Sequence, residues 1–295
     1  MVREQSVTRS HPEGAPRATV VVPTRDSART IGPCLASISR QSYENLEVIV
    51  VDNSSSDATQ KTALEHGCVV LTAGPERSTQ RNLGASRASG AYLLFVDSDM
   101  ILEPGVVLEC VSAARAGADA VIVPEVSFGD GFWAQCKRLE RSCYVGDDDI
   151  EAARFYTRDL FVRLNGFDEL LRGPEDWDLS QRARDAGATI ARVSARIHHD
   201  EGHLKLTDLL GKKLRYGKSM PAYRRKHRRA ARRQALLVRP AFVRHRRALA
   251  AEPLTAAGML LMKSLELSAG AVGASSAVAS DWARSRFSGA SSIAG

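Results

Sequence analysis

Two aspartates separated by one serine, Asp97-Ser98-Asp99, follow directly on the apolar run Ala91-Tyr-Leu-Leu-Phe-Val96. Carboxylates that close together at the end of a buried strand do not both ionise cheaply without a cation or hydrogen-bond donors. A hard divalent ion, Mg²⁺ or Mn²⁺, takes oxygen ligands and shares them with substrate phosphates, so the triplet points to a metal–diphosphate site. Taken alone it reads equally well as a solvated turn. A second acidic group, Glu175-Asp176-Trp177-Asp178, precedes Leu179 and Ala183 at helical spacing. Such a group either favours a helix N-terminus or supplies a general base to a hydroxyl. Arg77 and Arg81, four apart, share one helix face, where forked guanidinium contacts suit phosphate oxygens. Solvated surface arginines are the plain alternative. His198-His199-Asp200-Glu201-Gly202-His203 lacks both HExxH spacing and a Cys partner, which disfavours structural zinc.

These groups need a scaffold, and the apolar pattern supplies one. Ala18–Val22, Leu46–Val51, Cys68–Leu71 and Ala91–Val96 read as buried strands. Between them Thr30–Gln41, Ala58–His66 and Pro75–Ser89 read as helices, the latter two stopped by Gly67 and Gly90. Alternation of this kind predicts an α/β fold with a doubly wound, mostly parallel sheet. Ligands of such sheets bind at the carboxyl ends of the strands. Pro23-Thr24-Arg25-Asp26, Asp52-Asn53-Ser54 and Asp97-Ser98-Asp99 all fall there. No GxGxxG follows the first strand and no GxxxxGK[ST] occurs, which disfavours dinucleotide-binding and P-loop enzymes.

Six segments occur in a fixed order: Val20-Val-Val-Pro-Thr24, Val48-Ile-Val-Val-Asp52-Asn-Ser-Ser-Ser-Asp57, Arg81-Asn-Leu-Gly-Ala85, Gly90 to Asp99, Asn165-Gly-Phe-Asp168-Glu169 and Pro174-Glu-Asp176-Trp-Asp178-Leu. Together they resemble the family 2 glycosyltransferases of the GT-A fold, from about Ala18 to Tyr223. The resemblance implies inverting transfer of a sugar from a nucleotide-diphosphate donor to a hydroxyl of a glycan or lipid-linked acceptor. It implies that Asp52 hydrogen-bonds the base, that Pro23 and Thr24 line its pocket, and that Asp97 contacts ribose or metal. Ser98, Arg81 and Glu175 join that donor site, Asp99 ligates the divalent ion, and the general base falls on Asp176. The family often carries a histidine near the diphosphate, a place that His198 or His199 fits, with His198 taken as the metal ligand. Trp177, inside the acidic motif, is a candidate substrate wall. Family members more often have Asn where Arg25-Asp26 stands and Asp-Gly where Asn53-Ser54 stands, which leaves the nucleotide open.

Charge and composition divide the chain. The 295 residues are 44% hydrophobic and 25% charged, enough for a sizeable core and unlike a disordered or disulfide-stapled chain. Five widely spaced cysteines without a CxxC pair suit a reducing compartment. The net charge of +7 is concentrated: Leu209 to Ala251 holds fifteen Lys or Arg and no Asp or Glu. The expected division is a loose tail over 1–16, the transferase domain over 17–222, and a basic helical extension over 223–295. Leu254 to Ala279 is too interrupted, by Lys263 and Glu266, for a spanning helix. Basic residues beside an amphipathic helix suit an anionic membrane surface, so peripheral attachment at the cytoplasmic leaflet is expected. Met1 to Arg17 lacks the apolar run of a signal peptide. Two other readings compete. A sugar-1-phosphate nucleotidyltransferase would need an early GxGxRL loop, absent after Val22. A nucleic-acid-binding protein would rest on the Arg-rich stretch alone, without a reading motif, and nucleic acid is not an expected partner.

Overall fold

A computed structural model describes residues 14–290 of the chain. Its first half alternates as the apolar pattern predicts: β1 (Ala18–Thr24), α1 (Ile31–Ser39), β2 (Leu46–Asp52), α2 (Thr59–Glu65), β3 (Val69–Thr72), α3 (Arg77–Arg87) and β4 (Tyr92–Phe95). Next come β5 (Met100–Leu102), α4 (Val106–Arg115), β6 (Ala120–Ile122), β7 (Glu125–Asp130) and α5 (Phe132–Tyr144). They are followed by β8 (Phe155–Thr157), α6 (Arg158–Arg163), α7 (Glu175–Asp185), β9 (Ile190–Arg192) and β10 (Ile197–His203). Helices complete the described residues: α8 (Leu206–Gly217), α9 (Met220–Lys226), α10 (Arg228–Gln234), α11 (Pro240–Arg244), α12 (Arg246–Ala251) and α13 (Pro253–Ala290).

Seven strands form the main sheet in the order β3-β2-β1-β4-β8-β6-β9, and β5-β10-β7 form a smaller one. Within the main sheet β1 to β4 run parallel, while β8 is antiparallel to both its neighbours. Every residue of β1 is buried because helices cover both faces. Side chains alternate accordingly: Val20 and Val22 join a core with Ile31, Leu35 and Val107, whereas Val21 faces Ala85 and Phe95. A Cβ on Gly84 would come within 2.4 Å of Val21, so glycine is what lets α3 lie close on the sheet. The register Thr24↔Asp52 and Val21↔Phe95 sets the ends of β1, β2 and β4 along one edge.

The expected strand over Thr189–Ile197 is divided. Its start is β9 in the main sheet, and its end opens β10 in the smaller one. The expected boundary after residue 222 falls inside α9, and Tyr223 is fully buried against Leu171 and Ala231. No linker separates the basic extension from the domain. Met259 and Met262 of α13 and Phe242 of α11 share a core with Cys136 and Leu139 of α5 and Leu209 of α8. The charges that interrupt α13 point inward: Lys263 pairs with Glu140 at 2.7 Å, and Glu266 with Lys137 at 3.1 Å. Alpha-carbon hydrogens at Gly217 and Gly273 let α8 and α13 touch, since Cβ atoms there would meet the Gly270 and Leu214 carbonyl oxygens at 2.2 and 2.1 Å. Among the described residues no helix is long and apolar enough to cross a membrane. All five cysteines are free thiols.

Candidate active site

Two loops at the carboxyl edge of the sheet are knitted to each other. Asp26 accepts from the Ser56 backbone N–H (2.8 Å), Asp57 accepts from the Ala28 N–H (3.0 Å), and the Ser27 N–H donates to Thr59 (2.7 Å). Asp26 thereby acquires a structural task at a positive φ of 44°. Asp52, expected to face a nucleotide base, is fully buried. Its carboxylate accepts from the Ser55 N–H at 2.8 Å, from the Ser55 hydroxyl, and from Gln60 at 2.6 Å. The reason is local: the chain folds back after β2 and Ser55 closes over the acid. Asp52 holds the turn after β2 and does not present a free carboxylate. Pro23 and Thr24 lie buried at the end of β1, and the Thr24 hydroxyl has no partner among the described residues. Ser98 donates to the Ser27 hydroxyl at 3.0 Å.

The acidic triplet and the acidic start of α7 meet across one side chain. Arg81, fully buried, donates from Nη2 to Asp97 at 2.6 Å and from Nη1 to Asp176 at 2.9 Å. Both terminal nitrogens are therefore engaged, while Nε is buried without a partner among the described residues, and the expected role of a direct diphosphate ligand gives way to that of a bridge between two carboxylates. Its planar group also lies over the Phe167 ring, 5.1 Å from the centroid. Arg77 extends the network, donating to Glu175 at 3.1 Å and to the Tyr216 hydroxyl at 2.9 Å, and approaching Asp97 at 3.7 Å. Burial alone would raise the Asp97 carboxyl, but Arg81, Arg77 and Arg154 outweigh it and hold the group well below the usual carboxylate range. Glu175 goes the other way: burial, followed by the charge of Asp176, lifts it above its ordinary value despite both arginines. Glu175 is 2% exposed and also caps the Gly173 N–H, whereas the Asp176 side chain is 26% exposed. The second Asp176 oxygen has no partner among the described residues.

Strand alternation decides between the two histidines. In β10, His198 and His199 pair with Ile101 and Met100 of β5 and point to opposite faces. His199 Nε2 lies 3.2 Å from Asp99 Oδ2, while His198 turns to Glu103 at 3.1 Å and is 40% exposed. The histidine beside Asp99 is thus His199, a correction of the His198 placement. Burial would lower the His199 pKa, but its hydrogen bond to Asp99 raises it overall; the same bond, against burial, lowers Asp99. Asp99 Oδ1 is buried without a hydrogen-bond partner among the described residues. The orphaned Asp99 oxygen fits a divalent ion that draws other ligands from substrate and water, and His199 would join it through Nε2 by exchanging its bond to Asp99 for the metal, since Nδ1 faces Arg141. No three His, Cys, Asp or Glu side chains converge on a common point among the described residues.

Trp177, the candidate substrate wall, lies elsewhere. Its indole N–H donates to the Ile150 carbonyl at 2.8 Å, its ring packs 6.3 Å from Tyr223, and it lines a cavity against α13 instead. Asp178 is structural, buried between Arg182 (2.8 Å) and His227 (2.9 Å). The acidic loop at 147–149 is paired with arginines: Asp147 with Arg244 at 3.4 Å, Asp148 with Arg192 at 2.6 Å, Asp149 with Arg233 at 3.3 Å. Three residues behind the site escaped the sequence reading. Arg154 and Arg141 both grip Glu125, at 2.5 and 2.8 Å, and Arg141 lies 3.4 Å from His199 Nδ1. No local motif marks them, because the start of β7, helix α5 and the residue before β8 meet only through the fold.

The glycosyl transferase family 2 profile matches residues 19–168, half of the chain. The chain belongs to this family. Among its relatives, a PGL/p-HBAD biosynthesis glycosyltransferase of Mycobacterium tuberculosis is 27% identical over 194 residues, covering 60% of this chain and 73% of that protein. The glycosyltransferase GlyA of Streptococcus pneumoniae is 36% identical over 93 residues, but these span only 13% of its length. Among solved structures, the mannosyltransferase PcManGT of Pyrobaculum calidifontis, solved with GDP-Man and Mn²⁺, superposes with a TM-score of 0.58 at 20% identity. That match covers 94% of this chain and 80% of the other, too much to leave out the C-terminal helices. The family 2 protein is accordingly a glycosyltransferase of the GT-A fold with a helical C-terminal extension, and the nucleotidyltransferase and nucleic-acid readings fall behind.

Proposed function

We propose that this glycosyltransferase moves a sugar from a nucleotide-diphosphate donor to a hydroxyl of a glycan or lipid-linked acceptor, with inversion at the anomeric carbon. The observation that carries the reading is Arg81, which joins Asp97 of the strand-end acidic loop to Asp176 at the head of α7. Donor-side and acceptor-side carboxylates then face each other across the width of one guanidinium. Asp99 and His199 would hold Mg²⁺ or Mn²⁺, whose bound charge offsets the negative charge developing on a departing diphosphate. The Mn²⁺ and GDP-Man of PcManGT support that choice of ligands.

The protein's own groups account for the remaining steps. Arg81 fixes Asp176 through Oδ1 and leaves Oδ2 for the acceptor hydroxyl. That carboxylate takes the proton as the hydroxyl oxygen attacks carbon, and the nucleoside diphosphate leaves from the opposite face. Glu175, locked by Arg77 and Gly173, positions the first turn of α7 and is not free to act as a second nucleophile. The Thr24 hydroxyl, buried and unpaired at the end of β1, supports a donor contact there. Attachment to an anionic membrane surface is part of the proposal. Exposed Arg229, Arg246 and Arg247, with exposed Leu237, Val238 and Val243, support it.

The test is a panel of UDP-, GDP- and dTDP-sugars scored by thermal stabilisation with and without Mn²⁺, then by the anomeric configuration of the product. A donor at a hundred times its Kd should add about 2.7 kcal/mol. The reading is lost if no nucleotide sugar stabilises the protein, or if the transferred sugar keeps its configuration.

A further inference from the structure

A cavity of about 1490 Å³ lies between the loop leading into α7, helices α8 to α10, and α13. It exceeds the roughly 300–1,000 Å³ of pockets that enclose compact small molecules. Its three sides differ in chemistry. Leu267, Ala271, Ala274 and Val278 of α13 provide a small-residue, apolar side. Arg224, Arg225, Arg228 and Arg232 line the opposite side; all four are exposed, and none has an acidic partner within 4.0 Å among the described residues. Gly173, Pro174 and Trp177 form the third side, and they bracket Glu175 and Asp176 in the chain. Tyr216, also in the wall, accepts from the same Arg77 that holds Glu175.

A long apolar surface beside unpaired guanidinium groups suits neither a free sugar nor a neutral lipid. It fits a molecule that carries both an alkyl or isoprenoid chain and an anion. We propose that this cavity is the acceptor subsite of the transferase and takes an acidic amphiphile. Its apolar chain lies along α13, its phosphate-class anion sits at the arginines, and its hydroxyl-bearing end rests against Gly173, Pro174 and Trp177. The inference rests on the glycosyl-transfer reading and names the acceptor class for it. A cavity bounded by α13 also gives the extension a task inside the reaction.

The test uses the full chain and dodecyl phosphate, kept below its micelle concentration, in isothermal titration. Inorganic phosphate and dodecyl maltoside serve as the anion without a chain and the chain without an anion. Dodecyl phosphate should bind at least about tenfold more tightly than either. Ala274→Phe, which fills the apolar side, and Arg228→Glu with Arg232→Glu, which reverses the rim, should each weaken it about tenfold. The charge reversals lie on exposed positions and keep the test open if the cavity-filling variant fails to fold. Equal binding of inorganic phosphate, equal binding of dodecyl maltoside, or indifference to both variants would each overturn the assignment. So would binding only to phosphatidylcholine vesicles doped with phosphatidylglycerol, which marks a membrane-facing surface and not an acceptor subsite. Mn²⁺-dependent donor stabilisation is measured on the same samples. If it persists while dodecyl phosphate fails to bind, the cavity assignment alone is lost; if it is missing from the wild-type protein, the functional reading is lost.

Discussion

Arg81→Met removes the fully buried cation that hydrogen-bonds to carboxylates of both halves of the site, and its cost follows from the geometry. Arg81 is fully buried and bonds to Asp97 at 2.6 Å and Asp176 at 2.9 Å, with Glu175 at 3.8 Å. Without it, Asp97 retains only Arg77 at 3.7 Å and Arg154 at 3.9 Å. Removing one partner of a buried ion pair leaves an uncompensated charge and costs about 3–5 kcal/mol. Methionine keeps the contact with Phe167, so little of this is lost packing. At about 2–4 °C per kcal/mol for a chain of this size, Tm should fall by roughly 10 °C. Differential scanning fluorimetry of the variant gives that number directly. Adding Asp97→Asn to Arg81→Met removes one of the stranded charges and should recover part of the loss, whereas Asp97→Asn in the wild-type background should destabilise. Arg81→Lys should be intermediate, because a single ammonium group does not reproduce the fork that reaches both acids. A Tm for Arg81→Met within about 2 °C of wild type, where 1 kcal/mol is worth about that much, would show that the cluster is solvated and would refute the reasoning.

Three further outcomes are expected. Asp176→Asn keeps an acceptor for Arg81 but no basic oxygen, so transfer should fall by about 10²–10⁴-fold while donor binding persists; steady-state kinetics beside a donor titration separates the two. His199→Ala should abolish Mn²⁺-dependent stabilisation by donor, while His198→Ala, whose ring faces Glu103, should leave it intact; equal effects in thermal-shift assays would undo the choice between them. Burial raises the Glu125 carboxyl, yet Arg154 and Arg141 outweigh it and bring it down to about 2. A depressed acid stabilises fully above its ordinary value near 4.5, and that contribution fades as pH falls toward 2. It amounts to about 3 kcal/mol, so the stability gap between wild type and Glu125→Gln in urea unfolding should narrow across that window; a constant gap would contradict it.

Much of this molecule is legible in its residues, for identifiable reasons. Strands β1, β2 and β4 announce themselves because both faces are buried, which gives unbroken runs such as Ala18-Thr-Val-Val-Val22. The smaller sheet is harder to see: β5 has three residues and β7 reads Glu-Val-Ser-Phe-Gly-Asp, too short or too polar for a periodicity signal. Site residues near one another in the chain, such as Asp97 and Asp99, were readable by type. Their partners were not, because Arg81 and Asp176 are 95 positions apart and meet only through the fold. Asp52 shows the opposite limit: a carboxylate at a strand end suits recognition of a base, but the serine three positions on closes it off. Likewise, hydropathy counts Lys263 and Glu266 as interruptions of α13, although both are buried among Glu140 and Lys137.

The basic extension contributes Tyr223, Phe242, Met259 and Met262 to cores it shares with the rest of the chain. Cutting the chain at the end of α8 would therefore not release a smaller enzyme; it would strip a greasy flank bare and open a buried four-charge cluster, leaving Lys137 and Glu140 with only each other once Glu266 and Lys263 are gone. The inner side of these helices is committed to holding the catalyst together, and their outer side is at liberty to change. Substitutions that leave the catalyst intact therefore have to fall on that outer side or along the cavity wall, one arginine or leucine at a time.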